Sequence, residues 1–145
     1  MKRTNRRGSV AVESALVLGA LSLLLLGMLE MSLILLNQTA MAEGARRVAR
    51  AAMVHGDRAP DETWGPAKLT LQGSDTHEAA AKLREILCAV PASDVELEVE
   101  WIDGDNSAGD RVRVTLQHTH RPIVPAWGWN TGMVLRGSST MQIAH

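Results

Sequence analysis

The sequence predicts an α+β fold, in which a long N-terminal transmembrane helix precedes a small domain with one helix packed on a three-stranded antiparallel sheet. Three features predict it. A run of residues that are apolar or small except for Glu30 covers residues 14–36, a short helical pattern lies near residue 80, and three later segments alternate apolar and polar residues. At 145 residues, the chain is long enough for one small domain besides the apolar run.

These features divide the chain into four parts. We expect a basic leader at residues 1–8, an N-terminal helix at 9–55, a linker at 56–74 and the small α+β domain at 75–145. Within the N-terminal helix, we expect a membrane span at about 14–36 and an amphipathic extension at about 37–54.

The apolar run is long enough to cross a membrane. A helix over residues 14–36 is about 34 Å long, and the hydrocarbon core of a bilayer is about 30 Å thick. Every residue of the run is apolar or small except Glu30. An ionised carboxylate at this depth costs at least about 2.5–3.5 kcal/mol, so Glu30 must be protonated, snorkel to the surface or face a partner helix.

The start of the run differs from a secretory signal, which has an apolar core of about 7–15 residues and a small-residue cleavage site after it. Here the run is longer, and residues 39–42 offer only a weak site of that kind. Gly8 ends the basic leader, and Glu13 follows shortly after it. This arrangement resembles the prepilin peptidase signal, which implies a cut between Gly8 and Ser9 and retention of the apolar helix.

Glu13 lies at the head of the apolar helix. The resemblance implies that its carboxylate meets the N-terminal ammonium of a neighbouring subunit during assembly. The simpler interpretation is an interfacial acid stabilised by the positive end of the helix dipole. The two interpretations are compatible with each other.

The distribution of charge predicts the orientation in the membrane. The leader carries four basic residues, which place the N-terminus in the cytoplasm by the positive-inside rule: Lys2, Arg3, Arg6 and Arg7. Three further arginines follow the span and are assigned to a helix face: Arg46, Arg47 and Arg50. The small domain then lies in the periplasm, outside the bacterial inner membrane. The net charge of −1 argues against nucleic acid as a partner, and the single Cys88 excludes an internal disulfide.

The helix continues beyond the span, because apolar residues recur on one helical face: Met41, Ala45, Val48, Ala49, Ala52 and Met53. Small residues dominate this face, and Gly44 lies in the middle of it. Small residues let another backbone approach closely, as in helix packing within membranes and filaments.

The stretch LLGMLEMSLILLNQTAMAEGARRVARAA resembles the N-terminal signature of the TadE-like family. The matching residues form a leucine-rich span, an acid near its end and a small-residue segment with arginine: Leu25, Leu26, Gly27, Glu30, Ala42, Gly44, Ala45, Arg46 and Ala49. The sequence departs from the family at Met31-Ser32, where many members carry an aromatic residue and a glycine. The resemblance implies a minor pilin or pseudopilin of a tight-adherence, Flp-type pilus.

The middle of the chain contains an irregular segment and a second helix. Residues 58–73 hold several prolines and glycines around Trp64, which predicts a linker, although a short strand at 68–72 fits the pattern. The second helix is predicted at about 76–89. Asp75 is its expected N-cap, and a proline follows its end.

Residues 95–119 predict a β-hairpin. The first strand alternates apolar residues with glutamates, and the return strand alternates apolar residues with polar or basic ones. Folding the two strands about the turn DGDNSAGD sets Trp101 near Val112 and Glu100 near Arg113, and it also sets Val99 near Val114. Apolar residues then meet apolar residues and an acid meets a base.

The C-terminal segment predicts a loop and a last strand. The loop at 121–132 is rich in proline and tryptophan, and Trp127 and Trp129 belong either at a membrane or subunit interface or over the edge of the sheet. The last strand lies within 133–143, with a bulge expected at Gly137. The stretches VRVTLQHTHRPIVP and LRGSSTMQIA also resemble the TadE-like pattern.

Two sequence patterns could be interpreted as metal sites. In both cases the sequence favours a structural role for the residues. The oxygen-rich turn at 103–110 lacks the downstream glutamate of an EF-hand, and its residues are common in hairpin turns. His118 and His120 share a strand face without an evident third ligand. We therefore expect no metal site, no cofactor and no catalytic residues.

The function that the resemblance implies is that of a pilin-type membrane subunit in pilus assembly, processed by a prepilin peptidase. Its partners would be other pilin or pseudopilin subunits, the peptidase, the inner-membrane assembly platform and the lipid bilayer. Its site residues would be Gly8 and Ser9 for cleavage, with Glu13 and Glu30 for assembly. Two alternatives stay open: an uncleaved single-pass scaffold or binding domain of a secretion apparatus, and a membrane-tethered enzyme.

Overall fold

The computed structural model describes residues 6–60, 62–87, 90–123 and 132–144. In chain order the elements are α1 (Arg6–Val54), β1 (Leu69–Gln72), α2 (Glu78–Arg84), a 3-10 turn (Ala92–Asp94), β2 (Val95–Trp101), β3 (Arg111–His120) and β4 (Met133–Gln142). The α+β class, the long apolar N-terminal helix and the antiparallel sheet are confirmed. The predicted number of strands is wrong, because the described residues form a sheet of four strands instead of three.

Helix α1 is 49 residues long and has two different parts. Its free part, residues 8–29, is exposed at every position. Its packed part, residues 30–54, lies along β3 and β4 and also contacts α2. The small-residue face predicted for the extension is the face that packs, since Met41, Ala45 and Val48 are fully buried. The domain's own sheet covers this face.

The sheet has the order β1-β2-β3-β4, with every neighbouring pair antiparallel. The hairpin register is confirmed, because Trp101 pairs with Val112 and Glu100 with Arg113. The apolar residues of β2 and β3 alternate toward the helices and form the core with the packed part of α1. The core therefore lies between one face of the sheet and α1.

The fourth strand comes from the segment that the sequence predicted as a linker. Leu69 and Leu71 pair with Val99 and Leu97 of β2 and add β1 to the edge of the sheet. Both leucines pack against the core. Their burial stabilises the pairing, although the strand has only four residues. Trp64, just before this strand, is only 2% exposed and belongs to the core.

Strand β4 has no bulge at Gly137, so that prediction is wrong. Its pairing with β3 is continuous, and Gly137 lies opposite Leu116. The glycine serves a different purpose: a Cβ at this position would overlap the carbonyl group of Met41 in α1. The absence of a side chain lets the helix backbone cross directly over the strand.

Helix α2 is shorter than predicted and begins differently. The expected helix at 76–89 reduces to Glu78–Arg84, and its N-cap is His77, whose Nδ1 accepts a hydrogen bond from the Ala79 amide at 3.1 Å. Asp75, the predicted N-cap, instead accepts a hydrogen bond from the Gln72 amide at 2.8 Å. Asp75 thus closes the turn after β1.

Some predictions concern residues outside the described ranges or side chains that the structure does not describe. They are the basic leader with Lys2, Arg3, Arg6 and Arg7, and the placement of Trp127 and Trp129. These predictions stay as the sequence made them.

Candidate functional site

The free part of α1 presents apolar side chains on all sides. Its leucines are 41–71% exposed, and α1 is the one helix among the described residues that is long and apolar enough to cross a membrane. The Ser22 hydroxyl donates to the Leu18 carbonyl oxygen at 2.8 Å, so this polar group is satisfied within the helix. A helix with this surface fits a single-pass membrane anchor.

Three of the predicted site residues lie on the free part. Gly8, Ser9 and Glu13 are all exposed, and the space around a Cβ at Gly8 is open to at least 4 Å. Ser9 and Glu13 are one helical turn apart, so they share a face. The structure does not bring Glu13 and Glu30 together, because about 25 Å of helix separates them at 1.5 Å per residue.

Glu30 contacts the domain of its own chain. Its Oε1 lies 2.6 Å from His120 Nε2, and its Oε2 accepts a hydrogen bond from the Ile123 amide at 3.2 Å. The side chain of Glu30 is 18% exposed and that of His120 is 8% exposed. The three alternatives drawn from the sequence did not include this one, in which a histidine 90 residues away in the same chain partners the acid.

Asn37 completes what we call the junction cluster, made of Glu30, Asn37, His120 and Ile123. Its Nδ2 lies 3.3 Å from His120 Nδ1, while its Oδ1 is buried without a hydrogen-bond partner among the described residues. With this amide orientation, His120 Nδ1 accepts and Nε2–H donates to Glu30. A flipped amide would instead let the Asn37 oxygen accept from Nδ1–H of the ring. Either arrangement holds the imidazole between two residues of α1.

The local sequence explains how His120 reaches α1. It ends the series of inward-facing residues on β3, after Val114, Leu116 and His118, so its ring points toward the helix. The prediction that His118 and His120 share a face is confirmed. Their ring partners differ, because His118 Nδ1 lies 3.1 Å from the carbonyl oxygen of Asp94. Within the described residues, no group of three His, Cys, Asp or Glu side chains could hold a metal ion.

A cleft of about 560 Å³ lies beside the junction cluster, and its lining includes Val90, Asp94, His118 and His120. In an enzyme, a cleft of this kind can carry convergent titratable groups. Both histidines are already bonded to structural partners, and the described part of the lining contains no serine or cysteine. The arrangement favours a structural role for these side chains.

The turn at 103–110 is held by its own carboxylates. Asp103 accepts hydrogen bonds from the guanidinium of Arg111 at 2.7 Å and from its amide at 2.8 Å. The side-chain hydrogen bond, reinforced by the amide and the opposite charge, lowers the pKa of Asp103, and the same side-chain hydrogen bond, with the opposite charge, raises the pKa of Arg111. Asp105 and Asp110 accept from the Ser107 hydroxyl and amide, at 2.9 and 3.2 Å. These contacts are those of a hairpin turn.

Sequence reasoning missed the role of Asn106 within this turn. The residue is only 4% exposed, and its side chain accepts from Trp101 Nε1 at 2.8 Å and donates to the Trp64 carbonyl oxygen. Its own carbonyl oxygen accepts from the Asp57 amide at 2.9 Å. Asn106 thus joins the hairpin to the segment after α1. No sequence signal separates it from the other turn residues, because asparagine is common in any turn.

The comparison with known families concerns the N-terminal segment. The family described as TadE-like protein matches residues 8–50, which include the free part of α1 and most of its packed part. No curated protein and no solved structure matches the chain. A TadE-like segment indicates a pilin-like role for the part of the chain that the match covers. The predicted resemblance to the TadE-like family is therefore confirmed over residues 8–50.

Proposed function

We propose that this protein is a pilin-type membrane subunit that acts in the assembly of a tight-adherence, Flp-type pilus. The observation that carries the proposal is the TadE-like match to residues 8–50, combined with the exposure of apolar side chains all around the free part of α1. Water is a poor environment for such a surface. Lipid covers it before assembly, and the helices of other pilin or pseudopilin subunits cover it in the assembled state.

Processing by a prepilin peptidase between Gly8 and Ser9 is part of the proposal. Gly8 is exposed and free of contacts with the domain, as a protease site must be. The cut would leave an ammonium group on Ser9, one turn before Glu13. Within a filament, the Glu13 carboxylate of one subunit would pair with the ammonium of its neighbour and set their register. Such a pair is favourable in an apolar surrounding, where an unpaired carboxylate is costly.

The same proposal gives the protein a place in the cell. The basic leader would remain in the cytoplasm, α1 would cross the bacterial inner membrane once, and the domain would lie in the periplasm. The inner-membrane assembly platform would contact the subunit there. Glu30, the second acid of the helix, would act in assembly through the junction cluster, by holding the domain at a fixed position on the helix.

The first experiment measures the intact mass of the protein extracted from membranes, with and without the candidate prepilin peptidase. A mature chain that starts at Ser9 only when the peptidase is present is the expected result. A chain that keeps its leader in both strains would overturn processing and leave an uncleaved membrane scaffold. A start beyond Leu36 would identify the apolar run as a secretory signal and remove the assembly argument.

Two pairs of variants separate processing from assembly. Gly8→Val should keep the leader, whereas Gly19→Val, also at an open position of the helix, should be trimmed normally. Glu13→Gln should be trimmed but should lower the number of pili per cell, whereas the adjacent Ser14→Ala should not. Normal piliation with Glu13→Gln would contradict the role of that carboxylate in register.

A further inference from the structure

Exposed apolar side chains of the domain gather at one end of the sheet. Among the described residues outside α1, three large hydrophobic residues are exposed: Ile123 at 66%, Met133 at 47% and Val134 at 53%. Met133 and Val134 start β4 and pair with the last two residues of β3, while Ile123 follows β3 closely. We call this group the apolar tip. Its clustering is notable, because the rest of the exposed sheet surface is largely polar.

The apolar tip lies at the end of the domain nearest the free part of α1. Strand β4 runs beside α1 in the same direction, since Gln38 donates to the Arg136 carbonyl oxygen at 2.9 Å and Met53 accepts from the Ala144 amide at 2.9 Å. The start of β4 therefore faces the free part. Ile123 lies at the level of Glu30, because its amide donates to the Glu30 carboxylate.

The length of the free part places this level at a bilayer surface. Residues 9–29 make a helix of about 31 Å, which alone spans a hydrocarbon core of about 30 Å. With this placement Glu30 lies at the outer boundary of the core, whereas the span of about 14–36 expected from the sequence would place it inside. The headgroup layer adds roughly 5–7 Å on each side, which reaches the first turns of the packed part. The apolar tip is at this depth.

The charges beside the apolar tip fit a lipid surface. Arg121 and Arg136 are both exposed, and each lies within two residues of a member of the tip. Apolar side chains flanked by arginines suit the boundary between acyl chains and phosphates, where the apolar groups enter the boundary and the guanidinium groups bind phosphate. Met31 and Leu35, in the first turns of the packed part, are exposed apolar residues as well.

We propose that the apolar tip docks on the outer surface of the same bilayer that holds α1. The inference rests on the membrane anchoring in the proposed function and adds a second, peripheral contact with lipid. In this arrangement Glu30 and His120 of the junction cluster pair at the surface of the bilayer. Their contact fixes the orientation of the domain relative to the membrane.

The test uses the full chain, isotopically labelled, in nanodiscs whose lipids carry a nitroxide on the headgroup. Paramagnetic broadening of the amide signals of Ile123, Met133 and Val134 is compared with that of Gly104 and Ala108 at the opposite end of the hairpin. We expect broadening at least about tenfold stronger at the tip, because β3 alone separates the two ends by roughly 30 Å. The double variant Ile123→Ser, Val134→Ser should lose broadening at Met133, whereas Ala108→Ser should not.

A second label keeps this inference separate from the anchoring on which it rests. Lipids with a nitroxide deep in the acyl chain should broaden Leu21 and Leu24 of the free part. If these signals broaden while the tip shows no more broadening than Ala108, the docking is overturned and the anchor stands. If Leu21 and Leu24 are unaffected as well, both the anchor and the docking are overturned.

Discussion

The two parts of α1 have the same secondary structure and opposite surroundings. The free part, residues 8–29, is rich in leucine and exposed at every position, while the packed part, residues 30–54, presents small residues to the sheet. Gly44 shows the difference: a Cβ there would lie 2.7 Å from Leu116 and 2.9 Å from Leu83, whereas the space around Gly19 and Gly27 is open.

This difference shows that two separate properties determine the environment of an apolar helix: bulky side chains on all sides, and a stripe of small residues on one side. Bulky side chains on all sides leave no face for water, which favours lipid or a filament core. A stripe of small residues lets a second backbone approach, which favours a close protein contact. In this chain the two properties follow each other within one helix, and Glu30 and Asn37 mark the change.

The largest effect on stability is expected when a side chain is added where α1 crosses β4. Gly137→Val should lower the free energy of unfolding by about 3 kcal/mol or more, because its Cβ would overlap backbone atoms of Met41, which cannot move aside cheaply. Denaturant unfolding of the full chain in detergent, followed by tryptophan fluorescence, measures this loss. Gly27→Val is the matched control in the free part. Equal stability of both variants would break the comparison.

A second test concerns Asn106, whose hydrogen bonds join the hairpin to the segment after α1. Asn106→Ala should cost about 2–3 kcal/mol, because it leaves the buried Trp101 indole N–H and the Trp64 carbonyl oxygen without their partner. The same unfolding measurement applies. Asp105→Ala, an exposed neighbour in the turn, should cost well under half as much. If the two variants lose similar amounts, Asn106 is an ordinary turn residue.

A third test addresses the junction cluster, where the two parts of α1 meet. Glu30→Gln keeps the size of the side chain but removes the charge that His120 and the Ile123 amide share, so we expect a loss of about 1–2 kcal/mol. Hydrogen exchange at the Ile123 amide should accelerate before the sheet amides do. Glu43→Gln removes an exposed helix pair with Arg47 and should change stability by only about 0.5 kcal/mol.

The smallest effect is expected at the exposed pair of the turn, the counterpart of the buried pair at the junction. Arg111→Ala should raise the pKa of Asp103 toward its ordinary value, because the guanidinium hydrogen bond lowers that pKa. A group with a lowered folded-state pKa stabilises the fold above its unfolded pKa, and this contribution is lost as the pH falls through the folded pKa. The variant should therefore show less loss of stability in acid.

Carboxyl carbon NMR titration of the full chain measures this pKa directly. Arg113→Ala is the control, because Arg113 pairs with Glu100 at 3.7 Å on the neighbouring strand position. It should leave the titration of Asp103 unchanged. An Asp103 that titrates identically in the Arg111→Ala variant would show that the pair does not persist in solution.

Local periodicity accounts for what the sequence by itself determined. The apolar length of α1, the small-residue face and the register of β2 with β3 all follow from patterns that repeat over a few residues. Side chains at a helical or strand spacing share a face whatever the rest of the chain does. The same locality explains why the TadE-like resemblance is confirmed at the N-terminus, where the signature is a continuous stretch.

Only the tertiary structure decided which surfaces meet. Glu30 contacts His120, which lies 90 positions later in the sequence. Gly137 lies against Met41 because the helix crosses β4 at that point. Strand β1 forms because the edge of β2 is available to pair with it. Asn106 is buried because two tryptophans and the end of α1 pack around it. These contacts depend on the path of the whole chain, and no short pattern records that path.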